Sequence, residues 1–284
     1  MDFEVYVHRI SGILKRWGFV EFSPEWDQKM ADVKKWLACF QDSEVSLALR
    51  ICERLKFYTD AEIRDICSDI AKKISSLIGG EFEKTIFYPL GISSSASGSN
   101  FLYSLRKELK LDESHFPQKE MDCYLHCDCN LIFIDDIIGS GKQAVGFYKK
   151  YLKGTEAKCY YFSLLGFENG ISKVRQETGF IQVMSGRILS EENRVFDPCS
   201  RVFTAEERES IKRICEKYGR KLYKDHPLGY DDTEALIVFP HNCPNNTLPL
   251  IWAGENNEGA AGEIHWHPLW ERKKLINDNL KLSL

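Results

Sequence analysis

The sequence predicts an α/β protein, a mostly parallel sheet flanked by helices with a helical N-terminal extension. Three observations lead there. Residues up to about 79 repeat apolar side chains at three- and four-residue steps behind strong helix caps. From Lys84 onward, short apolar runs alternate with amphipathic stretches, the rhythm of strand–helix–strand units. One run, Leu131-Ile132-Phe133-Ile134, is apolar at every position, which suits a strand buried on both faces of a parallel sheet.

Taken in order, Ser23 before Pro24 reads as an N-cap with proline in the first turn. Trp26, Met30, Val33, Trp36, Leu37 and Phe40 then form one helical stripe, with both tryptophans in the core. Ser43 is expected to cap a second helix carrying Val45, Leu49, Cys52 and Leu55. Thr59 and Glu62 form a capping box ahead of a stripe from Ile63 to Leu77, ended by Gly79-Gly80. Strands are expected over Thr85–Leu90, Asp122–His126, Asn130–Asp136, Lys158–Leu165, Phe180–Met184 and Ala235–Phe239. Helices are expected over Asn100–Lys110, Lys142–Leu152, Gly170–Glu177 and Thr204–Tyr218, the last opened by a Thr204–Glu207 capping box. Pro240–Pro249 is a loop by its Asn and Pro content. The tail with His265, Trp266, His267 and Trp270 reads as a surface segment rather than a metal-chelating strand. The chain thus divides into an extension at 1–79, an α/β core at 80–240, and a loop and tail at 241–284.

At 43% hydrophobic residues, global disorder is excluded. Lys plus Arg number 38 against 42 Asp plus Glu, so no general charge drives the chain toward nucleic acid or an anionic membrane. The start, Met1-Asp2-Phe3-Glu4, does not resemble a secretory signal, and no apolar run approaches the ~20 residues of a membrane span. A cytoplasmic protein with ten reduced cysteines is expected. Cys123, Cys127 and Cys129 with His126 do not have zinc-knuckle spacing, and a strand there would send neighbouring ligands to opposite faces.

The chemistry concentrates in Leu131-Ile132-Phe133-Ile134-Asp135-Asp136-Ile137-Ile138-Gly139-Ser140-Gly141-Lys142-Gln143. A buried strand runs into two acids, then a small-residue turn, then a helix. Ligands of open α/β sheets bind beyond the carboxyl ends of strands. Backbone N–H groups of Gly139, Ser140, Gly141, Lys142 and Gln143 would surround a concavity suited to phosphate. Asp135 and Asp136 can accept hydrogen bonds from a vicinal diol such as that of ribose. Simpler readings are a helix cap or the acid pair of an ATPase. An ATPase needs Gly-Lys followed by Ser or Thr, whereas Gly141-Lys142 is followed by Gln143.

The stretch resembles the phosphoribosyl-pyrophosphate signature of type I phosphoribosyltransferases, closest to the purine-salvage branch. It departs at Gly139, where that branch carries an acid that handles the base proton, and at Gln143, which replaces a phosphate-binding Thr. The resemblance implies a pyrophosphate loop after the first core strand, here Ser93, Ser94, Ser95, Ser97, Gly98 and Ser99. It also implies Mg2+ bound with phosphoribosyl pyrophosphate, not ligated directly by the protein. Phe239–Trp252 resembles a signature of phosphoribosyltransferase-like proteins of prokaryotic conflict systems, and the two resemblances together cover about residues 80–255. This places His241, Asn242, Asn245 and Asn246 on the acceptor side. It further implies a glycosyltransferase acting at ribose C1 in antiphage defence, with possible protein partners docking on the N-terminal helices. Asp231, Asp232 and Glu234 are candidate general bases or a solvated turn. The alternative is a catalytically silent nucleotide-sensing or partner-binding module of the same fold.

Overall fold

The computed structural model describes residues 4–90, 98–117, 120–240, 242–254 and 265–272. Four helices come first: α1 (Glu4–Arg16), α2 (Pro24–Leu37), α3 (Val45–Arg54) and α4 (Asp60–Ile78). Ser23 Oγ accepts from Trp26 N at 3.2 Å, and the Thr59–Glu62 box opens α4, so both expected caps form. Gly79 ends α4 with φ +58°, a backbone that favours glycine. Ser43 is not a cap. It lies inside a 3-10 turn, Asp42–Glu44, whose backbone is bonded instead by Gln41 and Glu44. Helix α1 falls within the expected helical extension, and Ile10, Ile13, Leu14 and Trp17 lie at helical spacing and are buried.

Between α3 and α4 lies a two-residue strand, β1 (Lys56–Phe57). The main sheet has four parallel strands in chain order: β2 (Thr85–Pro89), β3 (Asn130–Ile138), β4 (Lys158–Phe167) and β5 (Gln182–Leu189). Helix α5 (Gly98–Leu109), one-turn α6 (Asp122–Leu125), α7 (Lys142–Phe147, continued by a π-turn to Leu152) and α8 (Glu168–Glu177) connect them. The α6 turn replaces the strand expected over Asp122–His126. The N–H groups of Cys123 and Tyr124 bond back to Glu120 O and Met121 O at 3.1 and 2.9 Å, the local bonding of a helical turn. The Phe180–Met184 expectation shifts to β5, two residues later.

All nine residues of β3 are buried, as its unbroken apolar run requires. Leu131 and Phe133 pack with Ala144, Ile171 and Val174 of α7 and α8. Ile132 and Ile134 pack on the other face with Ile70, Ile74 and Leu105 of α4 and α5. A further core joins α1–α3 to α9 (Ala205–Leu222), α10 (Pro249–Trp252) and the tail. There, β1 pairs in parallel with β6 (Ile237–Val238), and Ala235 adds an isolated bridge to Thr247, where a continuous strand was expected over Ala235–Phe239. Trp36 and Trp266 both donate to Leu250 O, at 2.7 and 3.1 Å. Lys29 donates to Leu269 O at 3.2 Å and lies 4.0 Å over the Trp270 ring. The tail is therefore core at Trp266, Leu269 and Trp270, not the surface segment expected. Tryptophan rings bury more apolar area than one short segment leaves exposed, and the N-terminal helices supply the matching surface. Among the described residues, no helix is long and apolar enough to cross a membrane.

Glu44 ties the N-terminal helices to α9 through Lys217 at 2.7 Å and Tyr218 at 2.6 Å. Burial alone would raise its carboxyl, but these bonds outweigh burial and hold it below the usual 4.5. Its contribution to stability is therefore complete above that unfolded value and is lost as pH falls through the lowered folded one. Glu44→Gln should flatten the acid limb of stability against pH. An acid limb identical to wild type would show that this contact does not contribute.

Candidate functional site

At the carboxyl end of β3, Asp135 and Asp136 are both buried. Strand alternation sends them to opposite faces. Asp135 Oδ2 accepts from the Tyr161 hydroxyl of β4 at 2.9 Å, and its Oδ1 accepts from Asp136 N at 2.9 Å. Burial, then the Asp135 carboxylate, pushes the Tyr161 phenol well above its ordinary value, so it remains a donor. Asp136 Oδ2 accepts from Asn242 Nδ2 at 2.9 Å. Asn242 of the Asn-Pro loop thus reaches Asp136.

The turn after β3 is closely walled. Gly141 adopts φ +77° and opens α7, and Lys142 N donates to Ser140 Oγ at 3.4 Å. A Cβ on Gly170 of α8 would lie 1.9 Å from Gly139 O. A Cβ on Gly98 of α5 would lie 2.2 Å from Ile134 O, which also accepts from Leu90 N at 2.7 Å. Leu90 and Gly98 therefore both meet β3 beside Asp135. A Cβ on Gly139 would lie 2.0 Å from Asn246 Nδ2, itself bonded to Thr233 Oγ1 at 3.1 Å. The acid of purine-salvage enzymes has no room there, because the Asn246 side chain fills the space. Asn245 contributes its carbonyl to Tyr230 N at 2.8 Å. Gln143 is exposed on the first turn of α7.

Beyond the ends of β4 and β5 lies a cleft of about 220 Å³, lined among others by Gly139, Ser140, Lys173, Arg194, Asp231 and Asp232. Asp231 pairs with Lys142. Two of the three candidate bases, Asp231 and Asp232, line this cleft. The third, Glu234, is buried with its carboxyl pushed up by desolvation and lies 3.6 Å from Arg194. Ser93, Ser94, Ser95, Ser97 and His241 lie outside the described residues, as does the side chain of Ser99. Cys123 and Cys127 are exposed free thiols near α6, and Cys129 is half-buried. Sequence reasoning missed Tyr161, Gly170 and the Lys142–Asp231 pair. Only Tyr161 had a legible signal, since it alternates with Ser163 along β4 onto the face of Asp135.

A parallel sheet whose buried strand ends in two acids and a glycine turn defines the class: a phosphoribosyltransferase-like α/β protein. The PRTase-CE family model matches residues 33–272. The chain belongs to the PRTase-CE family. It is similar to a solved hypoxanthine-guanine-xanthine phosphoribosyltransferase at 13% identity and TM-score 0.35, covering 49% of this chain and 79% of the other. It is similar to a hypothetical protein from Neisseria gonorrhoeae with bound ppGpp at 14% identity and TM-score 0.33, covering 55% and 94%. It is also similar to the AQ2163 protein from Aquifex aeolicus at 12% identity and TM-score 0.32, covering 60% and 87%. No curated protein matches the chain.

Proposed function

We propose that the protein binds phosphoribosyl pyrophosphate with Mg2+, or a related ribose-phosphate nucleotide, and acts at ribose C1 as an antiphage effector. The observation that carries the ligand reading is the carboxyl end of β3, where two buried carboxylates adjoin a turn whose glycines, Gly139 and Gly141, leave no free space for a Cβ. Such a turn presents backbone N–H groups to an anion. The antiphage role rests on the conflict-system resemblance of Phe239–Trp252. The carboxylates of Asp135 and Asp136 and the Ser140 hydroxyl offer only oxygens, which suit a hard cation such as Mg2+ held mainly by the ligand's own oxygens. When bound, Mg2+ would neutralise the leaving pyrophosphate.

Asp135 and Asp136 would orient the ribose hydroxyls, and residues 139–143 would hold the 5-phosphate. As the C1–O bond to pyrophosphate breaks, the acceptor bonds to C1. Any proton the acceptor sheds would have to reach Asp231, Asp232 or solvent, because Asn246 fills the space beside Gly139. That same filling favours the second reading, a silent nucleotide-sensing or partner-binding module; pyrophosphate release during incubation with candidate acceptors separates the two. Calorimetric titration with phosphoribosyl pyrophosphate and Mg2+ tests the ligand. Wild type should bind, and folded Asp135→Asn/Asp136→Asn should lose affinity by about tenfold or more, since each loses charge-assisted bonds. A folded wild type that evolves no binding heat sinks the proposal.

A further inference from the structure

Lys142, at the end of the phosphate turn, already holds an anion supplied by the chain itself. Lys142 forms an ion pair with Asp231 across 89 residues of sequence. Ser140 lines the same cleft, and its hydroxyl favours the charged form of this carboxylate. Burial would raise the Asp231 carboxyl, but the bonds from Lys142 and Ser140 outweigh it and leave it lowered. Its backbone is built to deliver it there. Asp231 sits at φ +55° and ψ +37°, followed by Asp232 at φ +49° and Glu234 at φ +55°. Left-handed backbone is unfavourable for residues other than glycine, and Asp and Asn tolerate it best. Strain of this kind persists only where surrounding contacts impose it. Here Tyr230 N donates to Asn245 O at 2.8 Å, Asp231 N donates to His226 Nδ1 at 3.2 Å, and the Thr233 hydroxyl donates to Tyr230 O at 2.6 Å.

We infer that Asp231 is a specificity-determining residue, an internal competitor whose carboxylate a ligand phosphate must displace from Lys142 and Ser140 to occupy the turn. The inference rests on the ribose-phosphate reading of the same site. A phosphate dianion brings more charge and more acceptor oxygens than one carboxylate, so it wins these donors where a neutral sugar or a carboxylate ligand does not. The displaced carboxylate has somewhere to go. Lys173 lines the same cleft and attracts Asp231 electrostatically. The turn therefore screens its ligands by phosphate charge before any contact with the rest of the nucleotide.

Ribose 5-phosphate is the probe, because it carries the phosphate without pyrophosphate, and free ribose is its control. Both are titrated at low salt into wild type and Asp231→Asn, which keeps the shape and tolerates the backbone. Asp231→Gly, which fits a left-handed backbone without strain, takes its place if the first variant misfolds. The variant should bind ribose 5-phosphate about tenfold tighter than wild type, because the cation is released for phosphate; ribose should show no gain. Equal or weaker binding by a folded variant overturns the inference. If wild type still binds phosphoribosyl pyrophosphate with Mg2+ in that case, the ribose-phosphate reading stands while the competitor does not. If no phosphate ligand binds either folded protein, both fall.

Discussion

Gly170→Ala should destabilise the protein and weaken ribose-phosphate binding, although alanine ordinarily strengthens a helix. At a helical position the exchange usually stabilises by about 1 kcal/mol. At Gly170 the added carbon would meet Gly139 O at 1.9 Å, Gly139 C at 3.0 Å and Gly141 N at 3.2 Å. All three are backbone atoms of the phosphate turn, and none can rotate away. Overpacking of this kind costs about 1–3 kcal/mol, which outweighs the helical gain. Relief requires α8 and the turn to separate, so the turn's donors lose their arrangement. Urea unfolding measures the first effect and calorimetry the second. Gly146→Ala is the control, since nothing lies within 4 Å of its added carbon. It should be neutral or slightly stabilising. A Gly170→Ala midpoint at or above wild type would show that the turn is not packed as described.

Trp36→Ala should cost about 4 kcal/mol, from the lost burial and the cavity left behind. The side chain is fully buried and donates to Leu250 O at 2.7 Å. Its ring also meets Phe40 at 4.8 Å, which in turn meets Trp266 at 5.1 Å. A domain of ordinary stability has only about 5–15 kcal/mol in hand, so the variant should melt far earlier or fail to accumulate. Trp36→Phe, which keeps most of the ring, should lose markedly less. Both are read from denaturant midpoints. Equal midpoints for wild type and Trp36→Ala would mean that α2 does not depend on the tail for its packing.

Local signals carried the reading of the sequence a long way. The caps at Ser23, Thr59 and Thr204 all form, because their partners lie three residues away. The Leu131–Ile134 run becomes the buried strand β3, since only a two-sided position accepts four apolar residues in sequence. The expectation of a strand over Asp122–His126 failed because a short apolar run does not distinguish strand from helical turn. The tail failed for another reason. Its tryptophans pack against the rings of Trp17, Phe19, Phe40 and Phe57, more than two hundred residues earlier in the chain, and no local pattern encodes that. In the candidate site, the acids and the glycine turn were legible as a motif. The absence of an acid at Gly139 read as a simple departure, yet it has a steric cause in Asn246, 107 positions away. The Lys142–Asp231 pair was equally invisible, since it joins two surface-type residues through a distant loop.

The union of α1–α3 with α10 and the tail also sets a timetable for the nascent chain. Lys29 meets Leu269 across 240 residues. At a synthesis rate of roughly 5–20 residues per second, roughly 12–50 s separate their emergence from the ribosome. Strands β2 to β5 are complete well before that. The sheet can close during synthesis, while Trp17, Trp26 and Trp36 wait without the segment that covers them. For that interval the newborn protein presents an aromatic surface to its surroundings, and its demand for chaperone protection is concentrated in its first fifty-five residues.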